Sequence, residues 1–199
     1  LSTGAFSNID TTGYSNVYIC GMSYDGDVCC GYGTRDSDFK IRALRITADG
    51  VTELAYPSGI SGNTWAYGIS GDGLTIVGAG KPSSVGMRSY KWVGSSVVEI
   101  ARANDSTVVI EGGAMSASED GNVIVGWHVR SGVRRGYIYK VDTATLTYTT
   151  LSSPYNSSTE VKFLCVSADG EWVGGNAAEY PIIWNNTLGI LGDRSEEHT

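Results

Sequence analysis

The sequence predicts an all-β chain, a β-propeller of four-stranded antiparallel blades with four repeats of about 48 residues. Three observations carry that expectation. A Ser-x-Asp-Gly stretch followed by a short apolar run and Gly recurs at Ser23 to Gly31, Ser70 to Gly78, Ser118 to Gly126 and Ser167 to Gly174, its serines 47, 48 and 49 residues apart. Gly is abundant (27 residues) and Pro scarce (4), the balance of a chain with many tight turns between strands. No segment keeps a helical period, and none has the ~18 consecutive apolar residues that a membrane-spanning helix needs.

Each repeat opens on its turn. Asp-Gly between apolar runs is a hairpin signal, expected here as a two-residue type I′ turn with positive φ at both central positions. The turn residues are Ser23, Asp25 and Gly26; Ser70, Asp72 and Gly73; Ser118, Asp120 and Gly121; and Ser167, Asp169 and Gly170. The serine hydroxyl and the aspartate carboxylate are suited to brace free backbone groups of the turn. After it come Val28-Cys29-Cys30, Thr75-Ile76-Val77, Val123-Ile124-Val125 and Glu171-Trp172-Val173. Apolar on successive residues, these runs read as inner strands packed between neighbouring blades and buried on both faces. A third strand follows at Ala43 to Ile46, Ser89 to Trp92, Tyr137 to Lys140 and Pro181 to Trp184, and an outer strand at Val51 to Leu54, Val97 to Ile100, Leu146 to Leu151 and Leu188 to Leu191. The blades are thus assigned to about 17–55, 65–100, 113–151 and 161–192, with residues 1–16 as the end of a preceding blade or a linker.

The net charge of −7 disfavours a nucleic-acid partner, which needs a clustered basic face. Cys20, Cys29, Cys30 and Cys165 show neither C-x-x-C spacing nor a nearby His, so no zinc site and no other metal or cofactor is expected. Whether any of them pair is left open by their spacing. Arg194 to Thr199 breaks the repeat pattern and reads as a translated sequencing adapter. The expectation is an incomplete chain, four blades of a six- to eight-bladed ring, whose end blades expose apolar residues such as Val28, Cys30, Trp172 and Ile182 and which aggregates or folds poorly in isolation.

An apolar residue, Ser-x-Asp-Gly, an apolar pair and Gly, then a strand ending in Trp and a Leu-Gly ending, resemble the HAF family of extracellular repeats. Ile69-Ser70-Gly71-Asp72-Gly73, Ile76-Val77-Gly78, Tyr90-Lys91-Trp92 and Leu188-Gly189-Ile190-Leu191-Gly192 carry the resemblance, which covers about residues 17–192. Ile46 and Lys140 stand where the other two units have Trp. The resemblance implies a bacterial secreted or surface protein and no particular chemistry.

Candidate chemistry is sparse. The four turn aspartates are explained by the turn itself, although their pattern is similar to the Asp-box of sialidases. A sialidase also needs an arginine cluster, a Tyr nucleophile and acidic partners; nothing in the spacing of Arg35, Arg42, Arg88, Arg130 and Tyr32 selects them. His128 beside Trp127 has no G-x-S-x-G partner, and Asp36-Ser37-Asp38 falls short of a calcium shell. In a meandering blade the second-to-third-strand loop and the blade-to-blade loop share one face. Here those loops (32–40, 79–88, 127–135, 175–179; 55–65, 101–113, 152–161) read as long and dissimilar, and they carry Tyr32, Arg35, Trp65, Trp127, His128, Arg130 and Arg135 as ligand-binding candidates. The function expected is a non-enzymatic, extracellular or cell-surface module binding a protein or glycan through that face. A glycan-cleaving propeller and an intracellular protein-interaction propeller are the alternatives.

Overall fold

The computed structural model describes residues 8–57, 61–81, 86–100, 108–149, 157–185 and 189–190. Residues 194–199, residues 1–7 of the 1–16 segment, Leu188, Leu191 and Gly192 of the Leu-Gly ending, and parts of the 55–65, 79–88, 101–113 and 152–161 loops lie outside them. Four antiparallel four-stranded sheets follow one another along the chain. The first is β1 (Tyr14–Met22), β2 (Cys29–Arg35), β3 (Ile41–Thr47) and β4 (Gly50–Glu53); the second β5 (Thr64–Ile69), β6 (Thr75–Gly80), β7 (Arg88–Val93) and β8 (Ser96–Glu99). The third is β9 (Val108–Ala117), β10 (Val123–Arg130), β11 (Val133–Lys140) and β12 (Thr145–Tyr148); the fourth β13 (Val161–Val166), β14 (Trp172–Ala177), β15 (Tyr180–Asn185) and β16 (Gly189–Ile190). In every sheet, strand order equals sequence order, the meander of a propeller blade. The first sheet opens at Tyr14, inside the stretch assigned to a preceding blade or linker.

Blades stack through one recurrent contact. The first strand of each following blade lies across the first three strands of the blade before it: β5 on β1, β2 and β3; β9 on β5, β6 and β7; β13 on β9, β10 and β11. The apolar runs are therefore second strands, paired on both sides, and β5, β9 and β13 are the elements that join blades. Among the strands whose burial is described throughout, β6, with a blade on each face, is the one buried at every residue; β14, with a blade on one face, is buried at Val173 and Ala177. Three clusters mark the interfaces. Cys30 and Ala43 pack with Ala66, Ile76, Tyr90 and Trp92; Val77 and Ile100 with Ala114, Ile124, Tyr137 and Tyr139; Val125 and Ile138 with Val161, Phe163, Val173 and Ile182.

Pairing register corrects the exposures expected of the end blades. Val28, Cys30 and Ile182 are buried, because strand alternation turns them toward the adjoining blade, and only Trp172 of the four is exposed. The opposite alternation brings out Ile19 and Met22 on β1 and Ile183 on β15.

The turn also differs from a two-residue type I′ loop. Only its Gly has positive φ (80°, 74°, 69° and 74° at Gly26, Gly73, Gly121 and Gly170), and the Gly N–H donates to the Ser carbonyl at 3.0–3.1 Å. The hairpin closes one step wider, with Ser23 N–H on the Val28 carbonyl at 2.8 Å and its counterparts in the other blades. The loop is thus a four-residue one built on a type I turn. It wins because the side chains hold it: Ser23 Oγ donates to Asp25 Oδ1 (2.6 Å) and accepts from Val28 N–H (3.1 Å), while Asp25 Oδ1 accepts from Asp27 N–H (3.0 Å). The same three bonds recur at Ser70, Ser118 and Ser167.

The glycine that ends the apolar run has an equally local cause. A β-bulge in the first strand aims a carbonyl at it, so a Cβ at Gly31, Gly78, Gly126 or Gly175 would stand 1.8, 2.0, 2.1 or 2.1 Å from the oxygen of Tyr18, Trp65, Gly113 or Lys162. In the last blade this glycine is Gly175, not Gly174: it stands eight residues after Ser167, as Gly126 does after Ser118, so the repeat stays in step and Trp172 is the counterpart of Val123.

Candidate functional site

The face bearing the second-to-third-strand connections is more ordered than its sequence suggests. β10 and β11 continue to Arg130 and from Val133, leaving a two-residue type I′ turn at Ser131 (φ 50°) and Gly132 (φ 78°); β2 runs to Arg35 and β14 to Ala177. All seven candidates consequently sit on strands: Tyr32 and Arg35 on β2, Trp65 on β5, Trp127, His128 and Arg130 on β10, and Arg135 on β11. Short polar stretches carry no strand signal of their own, and pairing with β11 and β15 extends the hairpins through them.

Arg35 belongs to a charged network at the end of the first blade. Its guanidinium donates to Asp38 (2.7 Å) and Glu53 (3.1 Å). Arg42, almost wholly buried, reaches the same Asp38 carboxylate at 2.6 Å, Glu53 at 3.5 Å and the Gly62 carbonyl at 3.0 Å, with the Tyr56 hydroxyl against it. Tyr14 donates to Glu53 at 2.8 Å. Arg35 holds the Asp38 carboxyl well below the usual carboxylate range, and desolvation with Glu53 pushes the Tyr14 phenol up to about 12. Both guanidiniums are thereby committed to internal carboxylates. An open cleft of about 520 Å³ lies beside them, lined by Gly13, Tyr14, Arg35, Asp36 and Ser37.

His128 is buried at the junction of the second and third blades. Nε2 lies 2.9 Å from Ser89 Oγ on β7 and Nδ1 3.1 Å from the Tyr148 hydroxyl on β12, and the ring stacks on Tyr137 at 4.4 Å. Gly112 makes room for it, since a Cβ there would stand 2.2 Å from His128 Cδ2. Ser89 is 1% and His128 5% exposed, so this Ser–His pair bonds two blades and no substrate can reach it as they stand.

Arg130 lies over the Tyr148 ring at 5.2 Å, and Arg135 donates to the Thr159 and Ser157 carbonyls of the third-to-fourth-blade connection. Arg134 and Glu160 pair at 2.9 Å beside it. What remains for a ligand is aromatic. Tyr18 and Tyr32 are cross-strand partners with rings 5.3 Å apart. Trp65 holds the position of Tyr18 in the second blade. Trp127 holds the position of Tyr32 in the third, with Arg134 (5.3 Å) and Lys162 (5.7 Å) over its ring. Tyr18 and Lys162 were not singled out, although the repeat spacing places them with Trp65: 47 residues separate Tyr18 from Trp65, as they do Ser23 from Ser70, and 97 separate Trp65 from Lys162, as they do Ser70 from Ser167.

Among the described residues no His, Cys, Asp or Glu group could hold a metal ion, and no helix is long and apolar enough to cross a membrane. All four cysteines are free thiols.

The blades and their stacking define the class: a β-propeller array. No family model matches the sequence, and no curated protein matches it. Solved structures share the fold. TolB from Acinetobacter baumannii superposes with a TM-score of 0.57 at 15% identity over 88% of this chain, and a TolB of Agrobacterium tumefaciens with 0.62 at 15% over 91%. A prolyl endopeptidase matches at 0.51 and 11% identity over 87%. The chain spans 43%, 66% and 27% of those proteins.

Proposed function

We propose that the chain is a non-enzymatic binding module, presented outside the cell as part of an HAF-type repeat protein, which takes a protein or glycan surface on the face of its long connections. The same blades occur in TolB and in a prolyl endopeptidase, so the fold does not choose between binding and catalysis, and the choice rests on side chains. The observation that carries it is the aromatic row Tyr18, Tyr32, Trp65 and Trp127 at one level of three successive blades, with Lys162 and Arg134 at its end. Flat aromatic faces edged by cations suit sugar rings and protein side chains alike, and they lose little conformational entropy on binding. Of the arginines weighed for a sialidase, Arg35 and Arg42 are held by Asp38 and Glu53 and Arg88 by Glu99, while Arg130 lies over the Tyr148 ring.

Screening on glycan arrays and against extracellular-matrix proteins should yield a ligand whose affinity falls about tenfold or more in Trp127→Ala, with the melting curve preserved. Turnover of aryl glycosides or sialosides, abolished by Arg35→Ala, would replace this reading with the hydrolase.

A further inference from the structure

The interface of the first and second blades holds an arginine without a counter-charge. Arg45 stands on β3 between Cys30 of β2 and Thr52 of β4, and directly opposed residues share a face of the sheet. Cys30 packs against Ala66, Ile76 and Trp92, so Arg45 is on the side turned to the second blade. It is exposed, and among the described residues no carboxylate, hydrogen-bond acceptor or aromatic ring takes its guanidinium. Arg35, Arg42, Arg88 and Arg134, by contrast, are each paired with a carboxylate.

The other two interfaces show what fills this position elsewhere. Val77 and Val125 stand seven residues after Ser70 and Ser118, as Cys30 does after Ser23, and they pair with Lys91 and Ile138. Lys91 Nζ lies 5.8 Å from the ring centroid of Tyr139, which holds on the third blade the position of Trp92 on the second. Ile138 is buried against the fourth blade. At the first interface neither closure forms. A cleft of about 280 Å³ is lined there by Arg45 and Leu54 of the first blade and by Gly73, Leu74, Ile76 and Trp92 of the second. Its lip is apolar where the repeat is polar: Leu74, 66% exposed, stands where the other three turns carry Asp27, Asn122 and Glu171.

The geometry points to a binding site for a small apolar monocarboxylate, with its carboxylate on the Arg45 guanidinium and its hydrocarbon part against Leu54, Leu74, Ile76 and Trp92. A guanidinium takes a carboxylate through two parallel N–H bonds, and the apolar walls remove the rest of the ligand from water. Size narrows the class. Ligand pockets run from roughly 300 to 1,000 Å³, so this cleft lies at the small end and suits one fused ring or a short acyl chain. Charge selects the anion: the chain carries 21 acidic against 14 basic residues, yet no carboxylate lines this cleft. The site sits by the braced turn of the second blade, at the end of the blades opposite the long connections, and does not depend on the aromatic row there.

Naphthoate, one carboxylate on a fused ring, is the probe. Titrated into the isotope-labelled 199-residue chain, it should shift the backbone amides of Arg45, Gly73 and Leu74 saturably. A Kd of about 0.1–1 mM is expected of a ligand this small. Arg45→Gln, and separately the uncharged naphthamide, should each weaken binding about tenfold or more. Leu74→Asn, which gives this turn the residue of the third blade, should weaken it about threefold. Both positions are exposed, so the melting curve of each variant should match the parent. Lys91→Gln, at the interface that Tyr139 already closes, should leave binding unchanged. Equal affinities for the acid and the amide, or full affinity in Arg45→Gln, overturn the inference. So does the lack of any saturable shift up to about 10 mM. Shifts confined to Tyr32, Trp65 and Trp127 also overturn it, and would assign the acid to the aromatic row of the opposite face.

Discussion

Arg42 shows how much of the candidate surface is internal structure. Its charge is removed from water and then matched, by Asp38 at 2.6 Å and Glu53 at 3.5 Å, which lie on a loop and on an outer strand far apart in sequence. Arg88 occupies the same strand position in the second blade and pairs with Glu99, the counterpart of Glu53, at 3.0 Å, so the ion pair is part of the repeat. A pH titration of stability follows from these groups and from the turns. The carboxyls of Asp38, Asp25, Asp120 and Asp169 lie below their ordinary 3.8, the first chiefly through Arg35 and the others through Ser23, Ser118 and Ser167. Their contribution is complete above the unfolded value and disappears as the pH falls through the lower folded values. At the alkaline side Tyr14, Tyr67 and Tyr90 are pushed up to about 12 by desolvation, and burial raises the Cys30 thiol to about 12. The unfolded chain ionises first there, so stability falls as the pH climbs past the ordinary tyrosine value of 10. Thermal melts across pH should therefore trace a plateau with a shoulder on each side. A flat profile through the acid side would show that the turn carboxylates are solvated alike in both states.

At the scale of the element, the blade is specified by a bulge and a braced turn rather than by strand propensity. The glycine after the apolar run faces a carbonyl that the bulge pushes inward, and at Gly78 an added Cβ would come within 2.0 Å of Trp65 O. Gly78→Ala must move backbone in a strand buried at every residue, and the expected loss is about 3 kcal/mol, the upper part of the range for overpacked cores. Gly132→Ala is the control: its φ is 78°, but nothing stands within 4 Å, so the cost is only the left-handed strain of about 1 kcal/mol. Denaturant melts that ranked the two alike would sink the close-approach account. The sequence made this element partly legible. Regular spacing of Ser-x-Asp-Gly revealed the repeat, and short runs of successive apolar residues revealed strands, because both are local properties of the chain. Gly175 could be read from that spacing as well, since it stands eight residues after Ser167 as Gly126 does after Ser118, whereas the turn type and the outward direction of Ile183 instead of Ile182 could not, since they depend on side-chain bracing and on pairing register. The site was legible to a similar extent: Trp65 and Trp127 stood out as aromatics, whereas the commitment of Arg35 to Glu53 required the pairing of β3 with β4.

For the whole molecule the relevant fact is that each interface is centred on one strand crossing three. Protection is then graded along the array and not uniform, because a blade's stability is its own plus that of the neighbours it touches. The second and third blades have a neighbour on each face, and they contain β6, a strand buried at every residue, and the interblade bond from Ser89 to His128. The first and fourth have one neighbour each, and exposed apolar residues mark their outer sides. Native-state hydrogen exchange on dilute protein should accordingly find the slowest amides in β6 and β10, with β1 and β15 opening at lower free energy. His128→Ala should narrow the difference, because it removes the side chain that bridges β7 to β12 and leaves a cavity between the two central blades. Equal protection in all four blades at low concentration would mean that the array unfolds as a single unit, and the one-strand interfaces would then be stronger couplers than their buried residues indicate.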